Sequence, residues 1–172
     1  AIVNSMNLGK LMFRTYFKLQ KVTPEKEQEI FTLMKKHFYW VTKVRGAWDI
    51  ATMVFADSPY KFNDIMDIVL SEFGQYIDNY WVSIMTTLHH CRRGYLVGKE
   101  DSTDIVLHKT KGNIELDDID QSIINFLTET GRASYTEIAR VCKVNEKLVR
   151  DRMKRLIKQE ILLGFTTFLN IP

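Results

Sequence analysis

The sequence predicts an α+β chain in two parts, a strand-rich first half carrying two helices and a last third that is helical. Three observations carry that prediction. Over residues 1–96 the apolar residues switch between the two-residue period of strands and the 3.6-residue period of helices. Two proline-marked starts, Thr23-Pro24-Glu25 and Ser58-Pro59, open the helical stretches. After a stretch of mixed charge and glycine, residues 116–172 show three short capped helices and a β-rich tail. A chain of 172 residues fits one domain or two, because domains run to about 100–200 residues, so pattern rather than length decides.

Residues 10–20 (KLMFRTYFKLQ) alternate and are rich in aromatics, which predicts a strand. Beyond the Thr23 cap, Ile30, Leu33, Met34 and Phe38 recur at helical spacing while Lys26, Glu27, Lys35 and Lys36 fall on the other side, so a one-sided helix runs to about Phe38. Residues 39–46 and 48–56 are two β-rich runs broken only at Gly46-Ala47, and they are expected to pair as a hairpin. A second helix carries Phe62, Ile65, Val69 and Phe73 on one face and stops near Gly74; residues 79–90 then supply a fourth strand. The order βαββαβ, with both helices on one face of an antiparallel sheet, is the ferredoxin-like arrangement. Residues 97–115 lose this patterning and read as a linker with room for one added strand.

In the last third, a helix beginning at Asp117 or Asp118 carries Ile119, Ile123, Ile124 and Leu127 and ends at Gly131. Ser134-x-x-Glu137 is a capping box for a second helix with Ile138 and Val141. Residues 142–145 turn the chain, and Asn145 caps a third helix to about Glu160. Three short helices with a tight turn before the third, followed by a strand, form the winged helix-turn-helix layout whose third helix enters the DNA major groove. Residues 143–158 hold seven basic side chains against Glu146 and Asp151, a balance of 7 − 2 = +5, whereas the whole chain carries only +3. Lys147, Arg150, Lys154 and Lys158 fall within an arc of roughly 80° at about 100° per residue, opposite Val149, Met153 and Leu156.

One face therefore packs, and the other is left for phosphates and base edges. Lys147, Arg150 and Asp151, near the start of the helix, are the candidates for base contacts; Arg152, Lys154, Arg155 and Lys158 are candidates further along. Ser134 and Tyr135 stand where hydroxyls and free N–H groups can meet the DNA backbone, although Ser134 has an equally good role as a cap. A lysine-rich surface helix alone would be weak evidence. The turn, capping box, stripe and trailing strand together are not.

These residues resemble the DNA-binding domain of the Lrp/AsnC (feast/famine) transcription regulators. The acidic LDDID opening, the alanine-bearing second helix, Val149, Arg152, Met153, Arg155 and Leu156 in the third, and the Gly164-Phe165 strand stand in that family's pattern. The first half resembles the same family's effector domain through VRGAWDIATMVFA and SIMTT. The resemblance implies a sequence-specific, DNA-binding regulator in the cytoplasm. It also implies an amino-acid or other small-molecule effector near Gly46, Asp49 and Thr86, and homodimers or higher oligomers formed through the effector sheet. The family ordinarily places its DNA-binding domain first, and here the order is reversed. Because Ala1-Ile2-Val3-Asn4 resembles Thr167-Phe168-Leu169-Asn170, the chain is expected to be the middle of a tandem helix-turn-helix, effector, helix-turn-helix, effector protein. A second departure is Glu160-Ile161, where the family usually has a glycine.

Other chemistries find little support in the sequence. Cys91 and Cys142 lack metal-ligand spacing, and in His89-His90-Cys91 only His89 and Cys91 share a strand face, so no metal or cofactor is expected. No apolar run has the length of a membrane span. Two rival classes remain: a small-molecule-sensing or assembly module whose helix-turn-helix no longer binds DNA, and an enzyme like the tetrapyrrole decarboxylases, whose two-domain plan is similar. No catalytic constellation of paired carboxylates or of nucleophile and base stands out for the latter.

Overall fold

The computed structural model describes residues 1–91, 94, 98 and 104–165. Two compact units emerge: Lys10–Thr86, and Ala1–Gly9 together with the chain from Thr87 onward. The ferredoxin-like domain therefore starts later and ends earlier than the expected 1–96, for reasons found in the second unit.

The Lys10–Thr86 unit follows the order β2 (Leu11–Leu19), α1 (Pro24–His37), β3 (Trp40–Lys43), β4 (Ile50–Ala56), α2 (Pro59–Phe73), β5 (Ile77–Met85). Its strands lie in the order β3-β4-β2-β5, all antiparallel. Thr23 and Ser58 cap the two helices by accepting from the backbone N–H of Lys26 and Lys61, with proline at the first helical turn in each. Such caps contribute about 1 kcal/mol each. The buried faces of both helices (Ile30, Met34, Phe62, Met66, Val69) meet Phe13, Phe17, Ile50 and Val54 from the sheet in one core. Phe13 stacks on Phe62 with ring centroids 4.3 Å apart. The hairpin is looser than its sequence suggests. Strand β3 ends at Lys43 and β4 begins at Ile50, so residues 44–49 form the loop, closed by Val44 N–H donating to the Asp49 carbonyl at 2.8 Å.

The second unit begins with β1 (Ile2–Val3), which pairs antiparallel with β8 (Leu162–Gly164). Asn7 is fully buried: its amide donates to the carbonyls of Gln159 and Glu160 and to Thr110 Oγ1, and its side-chain oxygen accepts from Thr110 N–H. Asn4 donates to the His108 carbonyl. These bonds explain why the first nine residues belong with the helical unit rather than with the sheet that follows them. The expected fourth strand, 79–90, is broken at Thr86. Its second part, β6 (Thr87–His90), pairs instead with β7 (Ile105–His108), the added strand within the expected linker. Helices α3 (Asp118–Glu129), α4 (Tyr135–Cys142) and α5 (Glu146–Lys158) complete the unit. Their core consists of Ile123, Ile124, Leu127, Ile138, Val149, Met153, Leu156, Ile161 and Leu162. Residues 167–170, compared above with residues 1–4, lie outside the described residues.

Candidate nucleic-acid interface

The interface is set by two caps and a turn. Ser134 begins α4 with a reciprocal capping box: its Oγ accepts from Glu137 N–H at 3.2 Å, and a Glu137 carboxylate oxygen accepts from Ser134 N–H at 2.7 Å. The same carboxylate takes the Ser134 hydroxyl at 2.8 Å, so that hydroxyl is occupied as a cap. Lys143 closes α4 in the left-handed conformation, φ 55°, which turns the chain so that Asn145 caps α5 by accepting from Leu148 N–H at 2.8 Å.

Along α5, Val149, Met153 and Leu156 are buried, while Lys147, Arg150, Asp151, Lys154 and Lys158 are exposed. Among the described residues Lys147, Lys154 and Lys158 form no ion pair. Arg152 and Arg155, grouped with them from the sequence, have another use. The Asp120 carboxylate on α3 is wholly buried, and both guanidiniums pair with it; Arg152 also pairs with Asp117. A buried carboxylate is costly without such partners, so these arginines clamp α3 to α5. Arg152 retains only 21% side-chain exposure and Arg155 42%. The matched spacing of Asp117 with Asp120 and of Arg152 with Arg155, three residues each, was the signal for this clamp in the sequence.

Arg150 belongs to a cluster at the turn. Its Nη2 donates to Glu146 Oε1 at 2.9 Å, its guanidinium lies 5.4 Å from the Tyr135 ring centroid, and Thr136 Oγ1 donates to Glu146 Oε2 at 3.1 Å. Tyr135 thus places its ring under an arginine. Glu146 and Thr136 were not singled out from the sequence, although Glu146 and Arg150 stand at the i, i+4 spacing of helix ion pairs.

The α5 C-terminus solves the missing-glycine problem directly. Glu160 adopts φ 56°. Its N–H donates to the Ile157 carbonyl and that of Ile161 to the Leu156 carbonyl, the bonding pattern of a Schellman motif with glutamate where glycine is usual.

In the Lys10–Thr86 unit, Gly46 takes φ 118° in the hairpin loop, a conformation suited to glycine. Asp49 does not offer a free carboxylate: one oxygen accepts from Lys18 Nζ at 3.1 Å and the other from Leu19 N–H at 2.8 Å. Nor is Thr86 brought beside it. Register places Ile50 against Phe17 and Met85 against Met12, so Asp49 and Thr86 flank opposite ends of β2, roughly 23 Å apart at the rise of a strand. What the hairpin does border is a hollow of about 690 Å³ lined by Lys18, Leu19, Val22, Glu27, Lys43, Val44, Arg45 and Asp49. Neither Gly46 nor Thr86 lines it. Among the described residues no group of three or more His, Cys, Asp or Glu is placed to hold a metal, and no helix is long and apolar enough to cross a membrane.

The family match lies within the helical unit. The AsnC-type helix-turn-helix domain matches residues 116–157. An uncharacterized HTH-type transcriptional regulator of Pyrococcus horikoshii is 44% identical over 57 residues, which is 33% of this chain and 36% of that protein. The HTH-type transcriptional regulator LysM of Saccharolobus solfataricus is 40% identical over 55 residues, 32% of this chain and 39% of that protein. The matches thus span little more than a third of these relatives. A solved structure of the siroheme decarboxylase NirDL, in complex with an iron-uroporphyrin III analogue, covers 93% of this chain and 46% of its own at a TM-score of 0.56 and 10% identity, a likeness of fold alone. Residues 116–157 match the AsnC-type helix-turn-helix domain, and it is this domain, about a quarter of the chain, that is similar to the DNA-binding part of the HTH-type transcriptional regulators.

Proposed function

We propose that this chain binds double-stranded DNA through α5 as a sequence-specific transcription regulator. The observation that carries the reading is the division of α5 into a buried apolar side and an exposed side on which Lys147, Lys154 and Lys158 make no ion pair among the described residues. Lysines so placed neutralise phosphates and release counterions. Arg150 and Asp151 lie nearer the N-terminal end of the same helix, where base edges are read. Arg152 is assigned to the clamp on Asp120, and Arg155 mainly so. Ser134 is assigned to the cap, and Tyr135 to the DNA-facing rim. In anisotropy titrations, Lys154→Ala is expected to weaken binding to all duplexes alike and to reduce the slope of log affinity against log salt by about 1. A Lys154→Ala chain with unchanged slope removes that lysine from the interface.

The same reading has a dimer form through the sheet of the Lys10–Thr86 unit. The Tyr16 ring centroid lies 6.2 Å from that of Trp48 and 5.9 Å from that of Trp81, Arg14 lies over the rings of Tyr16 and Trp40, and Trp81 is 56% exposed. Aromatic rings with a central arginine are the composition that favours protein contacts. A small-molecule response is a second reading, favoured by the hollow beside the hairpin rather than by Gly46, Asp49 and Thr86 as a set. Calorimetric titration with the twenty amino acids tests it, and absence of heat with all of them removes amino acids as effectors. The enzymatic alternative rests on likeness of fold; a coloured tetrapyrrole copurifying with the chain would be its sign.

A further inference from the structure

Arg150 differs from the lysines of α5 in being held from two sides, and from Arg152 and Arg155 in that none of its partners is buried. Glu146, one turn before it, takes a hydrogen of Nη2, and the Tyr135 ring lies under the guanidinium. Glu146 is itself fixed, because its second carboxylate oxygen accepts from Thr136 Oγ1. The cluster joins the first turn of α4 to the first turn of α5, across the turn that sets the angle between them. Arg150 and Glu146 remain about half exposed, so the pair adds little to stability: exposed i, i+4 pairs contribute about 0.3–0.5 kcal/mol. Its effect is to fix where the guanidinium points.

We infer that Arg150 reads one guanine, with Glu146 and Tyr135 as the positioning residues that pre-set its guanidinium. This rests on the DNA-binding reading. Arginine has only donors, and with one Nη2 hydrogen taken by Glu146, the other Nη2 hydrogen and those of Nη1 have no partner among the described residues. Two neighbouring donors match the adjacent N7 and O6 acceptors of guanine. Adenine offers an acceptor beside a donor, cytosine a donor, and thymine a single acceptor beside a methyl group. The Glu146 carboxylate also repels phosphate, which separates Arg150 in role from Lys147, Lys154 and Lys158. The tyrosine face restrains the flat guanidinium through a cation–π contact. Lysine at position 150, a point charge without the planar fork, does not substitute.

The test is selection of duplexes from a random library by the full chain, followed by anisotropy titration of the selected site, of its single-base variants and of unrelated duplex. Arg150→Lys is expected to lose about tenfold preference for guanine at one position. Glu146→Gln is expected to bind unrelated duplex more tightly, because an acid facing the phosphates is gone. At the same time its ratio of specific to unrelated affinity falls about two- to threefold. Tyr135→Leu lowers the same ratio at the same position. A Glu146→Gln chain whose affinities all change by one common factor overturns the inference while leaving DNA binding intact. A parent chain that binds no duplex at low salt overturns the DNA reading, and this inference with it.

Discussion

Arg150 and Arg152 stand two residues apart on α5, and burial of their partners separates their roles. Arg152 pairs with Asp117 and with Asp120, whose carboxylate has no solvent exposure. Removing it leaves that buried charge with Arg155 alone. Arg152→Ala is therefore expected to cost about 1.5–3 kcal/mol, the range for hydrogen bonds to charged groups. Chemical denaturation of the helical unit checks this, and a variant of parental stability with weakened DNA affinity would return Arg152 to the interface. The sequence shows seven cations on and before α5, and only the matched spacing of Asp117 and Asp120 with Arg152 and Arg155 hints at their division, because the carboxylates that claim two of them lie 32–35 residues away. Asp49 has the same lesson in reverse. The family resemblance implies a ligand contact for it, and in this chain Lys18 and the Leu19 N–H hold its carboxylate from a neighbouring strand.

Among the elements, those with local signals were legible. The proline starts, the Ser134–Glu137 capping box and the Asn145 cap all stand where the residue pattern places them. Elements settled by distant pairing were not: the break between β5 and β6 at Thr86 follows from the pairing of β6 with β7, and β1 pairs with β8 rather than joining the sheet that follows it. The capping box also makes a pH prediction. Glu137 titrates below its ordinary value near 4.5, first because its carboxylate accepts from the Ser134 backbone N–H and then from the Ser134 hydroxyl. A lowered folded value contributes stability that is complete above the ordinary value and is lost as pH falls through the folded one. Glu137→Gln should therefore flatten the acid limb of the stability curve below about pH 4.5 and leave its shape near neutrality unchanged. An acid limb as steep as the parent's would contradict that assignment.

Across the whole molecule, the described residues form two cores, one between the Lys10–Thr86 sheet and its helices and one among α3, α4, α5 and β8. The αβ alternation and the three capped helices forecast both. The boundary between them was harder to read, since Asn4 and Asn7 act through partners more than a hundred residues away. The sheet of the Lys10–Thr86 unit is the proposed dimer surface. Trp81→Lys places a charge in the Tyr16–Trp48 aromatic cluster and is expected to shift the chain from dimer to monomer in sedimentation, with paired recognition helices losing avidity for DNA. A parent chain that sediments as a monomer, or a Trp81→Lys chain that remains a dimer, would place assembly elsewhere.

If α5 presents a working DNA-binding face, a fluorescence anisotropy titration of random duplex DNA by the full chain at about 50 and 200 mM salt will show it. Binding that weakens steeply between the two is expected, as release of counterions by several phosphate contacts requires; absence of binding at the lower salt would remove α5 from DNA contact and leave it as part of a sensing or assembly module.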